Sequence, residues 1–99
     1  MSPVEFDPEA LKEIEDGAEW YEAQSVGLGG DFVEECREAF QSIQTSPETW
    51  SPHTHQTRIF LLHRFPFGVI YHVEINRILI LAVAHLHRRP GYWAKRLRR

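Results

Sequence analysis

A single cysteine, Cys36, is the only thiol in the 99 residues, so no disulfide can form within the chain and a reducing compartment suits it. Cys36 falls on the apolar side of a predicted helix, where a lone cysteine acts as a small core residue rather than a nucleophile. There is no long hydrophobic run. The longest, Ile78 to Ala84, is far too short to span a bilayer. The start, MSPVEFDPEA, has neither a basic nor an apolar targeting region, so no signal peptide is expected and the cytoplasm is the expected location. Lysine is scarce, with only Lys12 and Lys95, and acidic residues nearly vanish from the second half, where Glu74 stands alone. No repeat or low-complexity stretch interrupts the sequence.

What is present is sharply divided. Residues 1–50 hold thirteen acidic and two basic residues, while residues 51–99 hold nine basic residues and one acid. The total of −3 therefore hides an acidic half and a basic half, which points to two faces with different partners, or to helical and sheet surfaces that merely balance. Hydrophobic residues make up 42% of the chain and include three Trp, three Tyr and six Phe. That suffices for one small core in a single domain spanning 1–99, of a size at which a bound partner often adds stability.

The periodicities give an element order of β-α-α-β-β-β. Val4-Glu5-Phe6 is a short strand, closed by Asp7-Pro8, a helix cap followed by proline at the first helical position. Leu11, Ile14, Ala18 and Tyr21 recur at helical spacing, with Lys12, Glu13, Glu15, Asp16, Glu19 and Glu22 largely on the other side. Gln24 to Gly30 is a turn, and a second helix runs from about Asp31 to Thr45 on Phe32, Val33, Cys36, Phe40 and Ile43. Pro47 to Gln56 reads as a loop. Thr57–Phe65 and Phe67–Ile75 alternate as two-faced strands, and Ile78–Ala84 is apolar on both faces, as a strand covered on both sides would be. A short basic segment, Tyr92 to Arg99, closes the chain. The expected fold is α+β, with a helical hairpin on a mainly antiparallel sheet.

Three groups of residues carry chemistry. The segment with Arg88, Arg89, Tyr92, Trp93, Lys95, Arg96, Arg98 and Arg99 interleaves cations with aromatics, a pattern suited to binding an acidic protein or a nucleic acid. It also suits a plainer role in which Tyr92 and Trp93 pack the tail onto the sheet beneath solvated arginines. Arg58, Arg64, Tyr71, His85 and His87 contain the cation, acid and base that cleavage of RNA requires. His53-x-His55 and His85-x-His87 place imidazoles at strand spacing, but without Cys or carboxylate ligands at metal-site spacing, so no metal or cofactor is expected. The acidic residues Glu13, Asp16, Glu19, Glu34, Glu35 and Glu38 are expected on a solvated helical face.

The order of Trp20-Tyr21-Glu22, Gly27-Leu28-Gly29, Phe32, Arg64-Phe65-Pro66-Phe67 and Ile70-Tyr71 resembles that of the RelE/ParE toxins. The stretch Ala82-Val83-Ala84-His85-Leu86-His87-Arg88-Arg89-Pro90-Gly91-Tyr92-Trp93 is similar to the ending of ParE-like plasmid stabilisation proteins, and the resemblance spans residues 4–97. It implies a bacterial toxin of a type II toxin–antitoxin pair, neutralised by an antitoxin whose extended and helical segment wraps around it. Leu28, Phe32, Trp50 and Phe60 are the residues expected to line the groove for that segment. RelE-like members cut messenger RNA on the ribosome, whereas ParE-like members poison DNA gyrase and lack the ribonuclease residues. The resemblance thus implies a binder of gyrase, with an RNase, or a relic that only binds its antitoxin, as alternatives.

Overall fold

The computed structural model describes residues 1–98. Strand β1 (Val4–Phe6) leads into helices α1 (Pro8–Gln24) and α2 (Leu28–Thr45), followed by strands β2 (Ser51–His53), β3 (Thr57–Leu61), β4 (Phe67–Val73) and β5 (Ile78–His85). A 3-10 turn at Thr54–Gln56 joins β2 to β3, and a second at Ala94–Arg98 ends the described chain. The five strands form one sheet in the order β1-β5-β4-β3-β2, antiparallel except where β1 runs parallel to β5. The α+β class and the helical hairpin on a mainly antiparallel sheet are as the periodicities imply.

The helices begin where local chemistry satisfies their free N–H groups. The Asp7 side chain accepts from the Glu9 amide at 2.9 Å, and Pro8 occupies the first turn, where a missing N–H costs nothing. Helix α2 starts at Leu28, three residues before the expected Asp31. Two things make this possible. Gly27 adopts φ +90°, which favours glycine, and the Glu22 carboxylate accepts from the amides of Gly27 and Gly29 at 3.0–3.1 Å.

The sheet is covered on both faces. On one side α1 and α2 lay Ala10, Phe32, Cys36, Ala39 and Ile43 against Val69, Tyr71, Ile78, Ile80 and Val83. Phe32 is the centre of that core, its ring tilted or edge-on to Tyr21, Phe65 and Phe67 at centroid distances of 4.9–5.3 Å. On the other side Trp93 packs on Ile70, Leu79, Leu81, Ala82 and Ala84. This explains the two-faced apolar run, every residue of which from Ile78 to Ala84 is buried. Midway along β5 the pairing slips: Ala82 faces Ile70 while Ile80 faces Tyr71, which leaves Leu81 as the extra residue of a bulge.

Two expectations need correction. Part of the supposed loop at Pro47–Gln56 forms the edge strand β2, paired Ser51↔Ile59, Pro52↔Arg58 and His53↔Thr57. It carries no apolar alternation, and its hydrogen bonds to β3 create it; as an edge strand it also tolerates Pro52. Strand β3 stops at Leu61 rather than Phe65, because the Leu62 amide donates to the Phe67 carbonyl and the Phe67 amide to the Phe65 carbonyl, closing a tight bend at Pro66.

Gly17 is buried in the middle of α1, and a Cβ there would stand 2.8 Å from the Phe32 ring. Gly30, in the first turn of α2, is different: a Cβ there would meet nothing within 4 Å. Gly17→Ala should therefore destabilise by about 1–3 kcal/mol despite alanine's better helix propensity, because the ring cannot move. Gly30→Ala should be neutral or stabilising by up to about 1 kcal/mol. Urea unfolding of the two variants checks the opposite signs.

Candidate interaction surface

The chain beyond β5 is fastened at several points. The Leu86 amide donates to the Pro66 carbonyl and the Arg88 amide to the His85 carbonyl, both within 3.0 Å. Gly91, at φ +76°, turns the backbone over the outer face of the sheet, where Trp93 is only 2% exposed.

The main fastening is a carboxylate. Glu13, on α1, accepts from the Val83 backbone amide at 3.0 Å, from both terminal nitrogens of Arg96 at 3.0 Å, and from the Tyr92 hydroxyl at 2.6 Å. Arg96 also donates to the Leu81 carbonyl at 2.9 Å. Its side chain is 5% exposed and that of Glu13 is 12% exposed, so this is an interior ion pair. Arg88 lies 3.5 Å from the same carboxylate, with its guanidinium 3.7 Å from the Tyr92 ring centroid. Burial, donation to Glu13 and the charge of Glu13 push the Tyr92 phenol well above its ordinary value, so it stays a donor. Burial works against the Arg96 charge, but the hydrogen bond and charge of Glu13 outweigh it.

The basic segment is therefore of two kinds. Trp93 and Arg96, expected at a binding surface, are buried inside the chain's own packing and act as its anchors. Tyr92 is half-buried, while Arg88, Arg89, Lys95 and Arg98 are exposed. Arg99 lies outside the described residues.

The residues grouped as a ribonuclease site form two separate pairs instead of one cluster: Arg58 faces Tyr71 across β3 and β4, and the His85 and His87 rings lie 5.1 Å apart. Tyr71 is buried and donates its hydroxyl to the Pro47 carbonyl at 2.6 Å; burial pushes its phenol up to about 12. Arg58 donates to the Trp50 carbonyl at 2.7 Å, and Arg64 pairs with Asp31 at 3.3 Å on the surface. His85 stands opposite Phe67, four residues along β4 from Tyr71, or about 13 Å at strand spacing. His85 accepts the His87 amide on Nδ1 at 3.1 Å, so the neutral ring carries its proton on Nε2. No group of three or more metal-ligating side chains is placed to hold an ion among the described residues.

The expected antitoxin groove is also dispersed. Phe32 is 0% exposed at the centre of the core, because it fills the space that Gly17 leaves open. Leu28 is half-buried at the start of α2, while Trp50 and Phe60 form an edge-on pair, at 4.6 Å, past its other end. A separate apolar cleft of about 240 Å³ opens beside Gly17, Trp20, Tyr21, Phe67 and His85, with Trp20 60% exposed.

A family model described as the ParE toxin of the type II toxin–antitoxin system, parDE, matches residues 4–90. The chain belongs to the ParE toxin family. A solved structure, the chromosomal ParDE toxin–antitoxin system from P. aeruginosa, is similar with a TM-score of 0.67 at 14% identity, over 88% of this chain and 98% of that one. At that identity the likeness concerns the fold. No curated protein sequence matches significantly.

In this ParE-family chain the match stops short of Tyr92, Trp93 and Arg96, the residues that fasten the tail. Sequence reasoning missed their partner, assigning Glu13 to the solvated acidic face. Glu35 was misplaced in the same way, since it accepts the amides of His63 and Arg64 across the bend after β3. A signal for Glu13 does exist: it lies three residues after Ala10 and four before Gly17, on the stripe that α1 buries. Cys36 is buried in the main core, and burial with the charge of Glu35 pushes its thiol up to about 12, so it is an inert core residue. No described helix is long and apolar enough to cross a membrane.

Removing Glu13 would leave Arg96 charged in the interior with only the half-exposed Glu9, 3.9 Å away, as a counter-charge. Glu13→Ala should cost about 3 kcal/mol, a large part of the stability of so small a chain. Asp31→Ala, which breaks the exposed pair with Arg64, should cost less than about 1 kcal/mol. Denaturation midpoints of the two variants against the parent chain measure the contrast.

Proposed function

We propose that this ParE-family chain arrests bacterial growth by binding an essential cytoplasmic target through its basic end, without breaking a bond itself. DNA gyrase is the target that the family resemblance implies. The observation that carries the reading is the mounting of Arg88, Arg89, Lys95 and Arg98: four exposed cations on a segment fixed by Trp93 and the Glu13–Arg96 pair. A fixed cationic surface loses little entropy on binding an acidic partner. The distance of the Arg58–Tyr71 pair from the His85–His87 pair speaks against an RNase of RelE type, since cation, general acid and base must reach one phosphate together.

A cognate antitoxin neutralises the toxin by wrapping it. Of the residues anticipated for that contact, Leu28, Trp50 and Phe60 have surface to offer, at opposite ends of α2. The acidic outer faces of the helices favour basic side chains on the segment that crosses them.

Induced expression in bacteria tests the proposal. The parent chain should halt growth with total RNA intact, and its purified form should inhibit supercoiling by gyrase. Replacing Arg89, Lys95 and Arg98 together by alanine should weaken both effects at least tenfold while leaving the fold unchanged. Degraded RNA would favour the ribonuclease reading, and no arrest at all would leave a chain that only binds its antitoxin.

A further inference from the structure

A cavity of about 150 Å³ lies on the outer face of the sheet, between β2 and the turn that follows β5. Its floor is apolar, made by Ile59, Ile70, Ala84 and Trp93, while His53, His85 and Arg89 stand among its walls. The volume matches that of a cavity known to admit a benzene ring, so it takes one ring-sized side chain and no more.

The cations around it are unequally committed. Arg88 is held by Tyr92 and Glu13. Arg89 is exposed and makes no ion pair among the described residues. His85 borders the cavity from the end of β5, but its ring is turned to the helix side of the sheet, 5.1 Å from the Phe67 ring.

A second observation concerns the backbone beside the cavity. His55 and Gln56 adopt φ of +61° and +60°, two successive left-handed residues that are not glycine. Such conformations cost of order 1 kcal/mol each and collect where a binding site is held in shape. Here the turn follows directly on His53, which lines the cavity, and the His53 and His55 rings stand 5.9 and 5.6 Å from the Trp93 ring.

We propose that this cavity is a recognition pocket for an acidic protein segment, seating one aromatic side chain on the Ile59–Ile70–Ala84–Trp93 floor and a neighbouring carboxylate on Arg89. The proposal rests on the reading of the chain as a binder and names the chemistry of the partner. Charge complementarity selects an acidic peptide. A nucleic acid is disfavoured because the cavity is too small for a nucleotide. The acidic helices and net charge of −3 also oppose a polyanion whose affinity depends on many phosphate contacts.

The probe is a fluorescent peptide with two acidic residues on either side of a phenylalanine. It should bind the full chain saturably and shift the Trp93 indole and Ala84 amide NMR signals. Alanine in place of the phenylalanine should weaken binding at least tenfold, and so should Arg89→Ala, whose exposed side chain can be lost without harm to the fold. Equal affinity for the two peptides, unchanged affinity in Arg89→Ala, or tighter binding of a single-stranded oligonucleotide would overturn the pocket. Growth assays on the same variants separate this idea from the toxin reading. A chain that arrests growth yet ignores the peptide overturns only the pocket. A chain that binds the peptide without arresting growth supports the pocket and overturns the toxin reading.

Discussion

The free edge of β5 is the constraint around which this structure is organised. β1 pairs only with Ile78, Leu79 and Ile80, leaving the upper part of β5 without a strand at its side. Below the bulge, the Ile78 amide and the Ile80 carbonyl meet the backbone of Pro3 and Asp7. At the bulge and above it, the Leu81 carbonyl and the Val83 amide are met by Arg96 and Glu13. A buried backbone group left unpaired costs as much as a lost hydrogen bond, so side chains here replace a missing strand. The same two side chains neutralise each other, and with Tyr92 bonded to Glu13 and Trp93 packed on the sheet they fasten the described part of the C-terminal segment.

That arrangement changes the meaning of the charge division along the chain. The acidic half and the basic half are joined, not merely balanced, because Glu13 of the first pairs with Arg96 and Arg88 of the second. Arg77 makes a further join, to Glu5 of β1 at 2.9 Å. What remains exposed is an acidic helical surface on one side and a small cationic set around Arg88, Arg89, Lys95 and Arg98 on another. Two surfaces of opposite sign on one small chain favour partners of opposite charge.

The fold was largely legible in the sequence because its elements are set by short-range periodicity. Asp7-Pro8 marks the start of α1, and the alternation from Phe67 to Val73 marks β4. The apolar run Ile78–Ala84 implied cover on both faces, and Trp93 and the helices supply it. What was hidden depends on contacts between residues far apart in sequence. β2 exists through its pairing with β3. Glu13 and Arg96 are 83 residues apart, and a glutamate among seven other acids in residues 1–22 carries no mark of its burial except its place on the Ala10–Gly17 stripe. The candidate site was half legible for the same reason. Tyr92 to Arg98 stood out by composition, but composition does not tell the arginine that fastens the tail from those that face outward.

The Glu13 carboxylate holds the tail on the sheet in the isolated chain, and amide hydrogen exchange at Val83 tests this most directly. In the parent chain, without any partner present, Val83 should exchange as slowly as the core amides of β5. In a Glu13→Ala variant under folding conditions, Val83 and the tail should lose protection while the rest of the sheet keeps it. Rapid exchange at Val83 in the parent chain, or full protection retained in Glu13→Ala, would show that the carboxylate does not hold the tail.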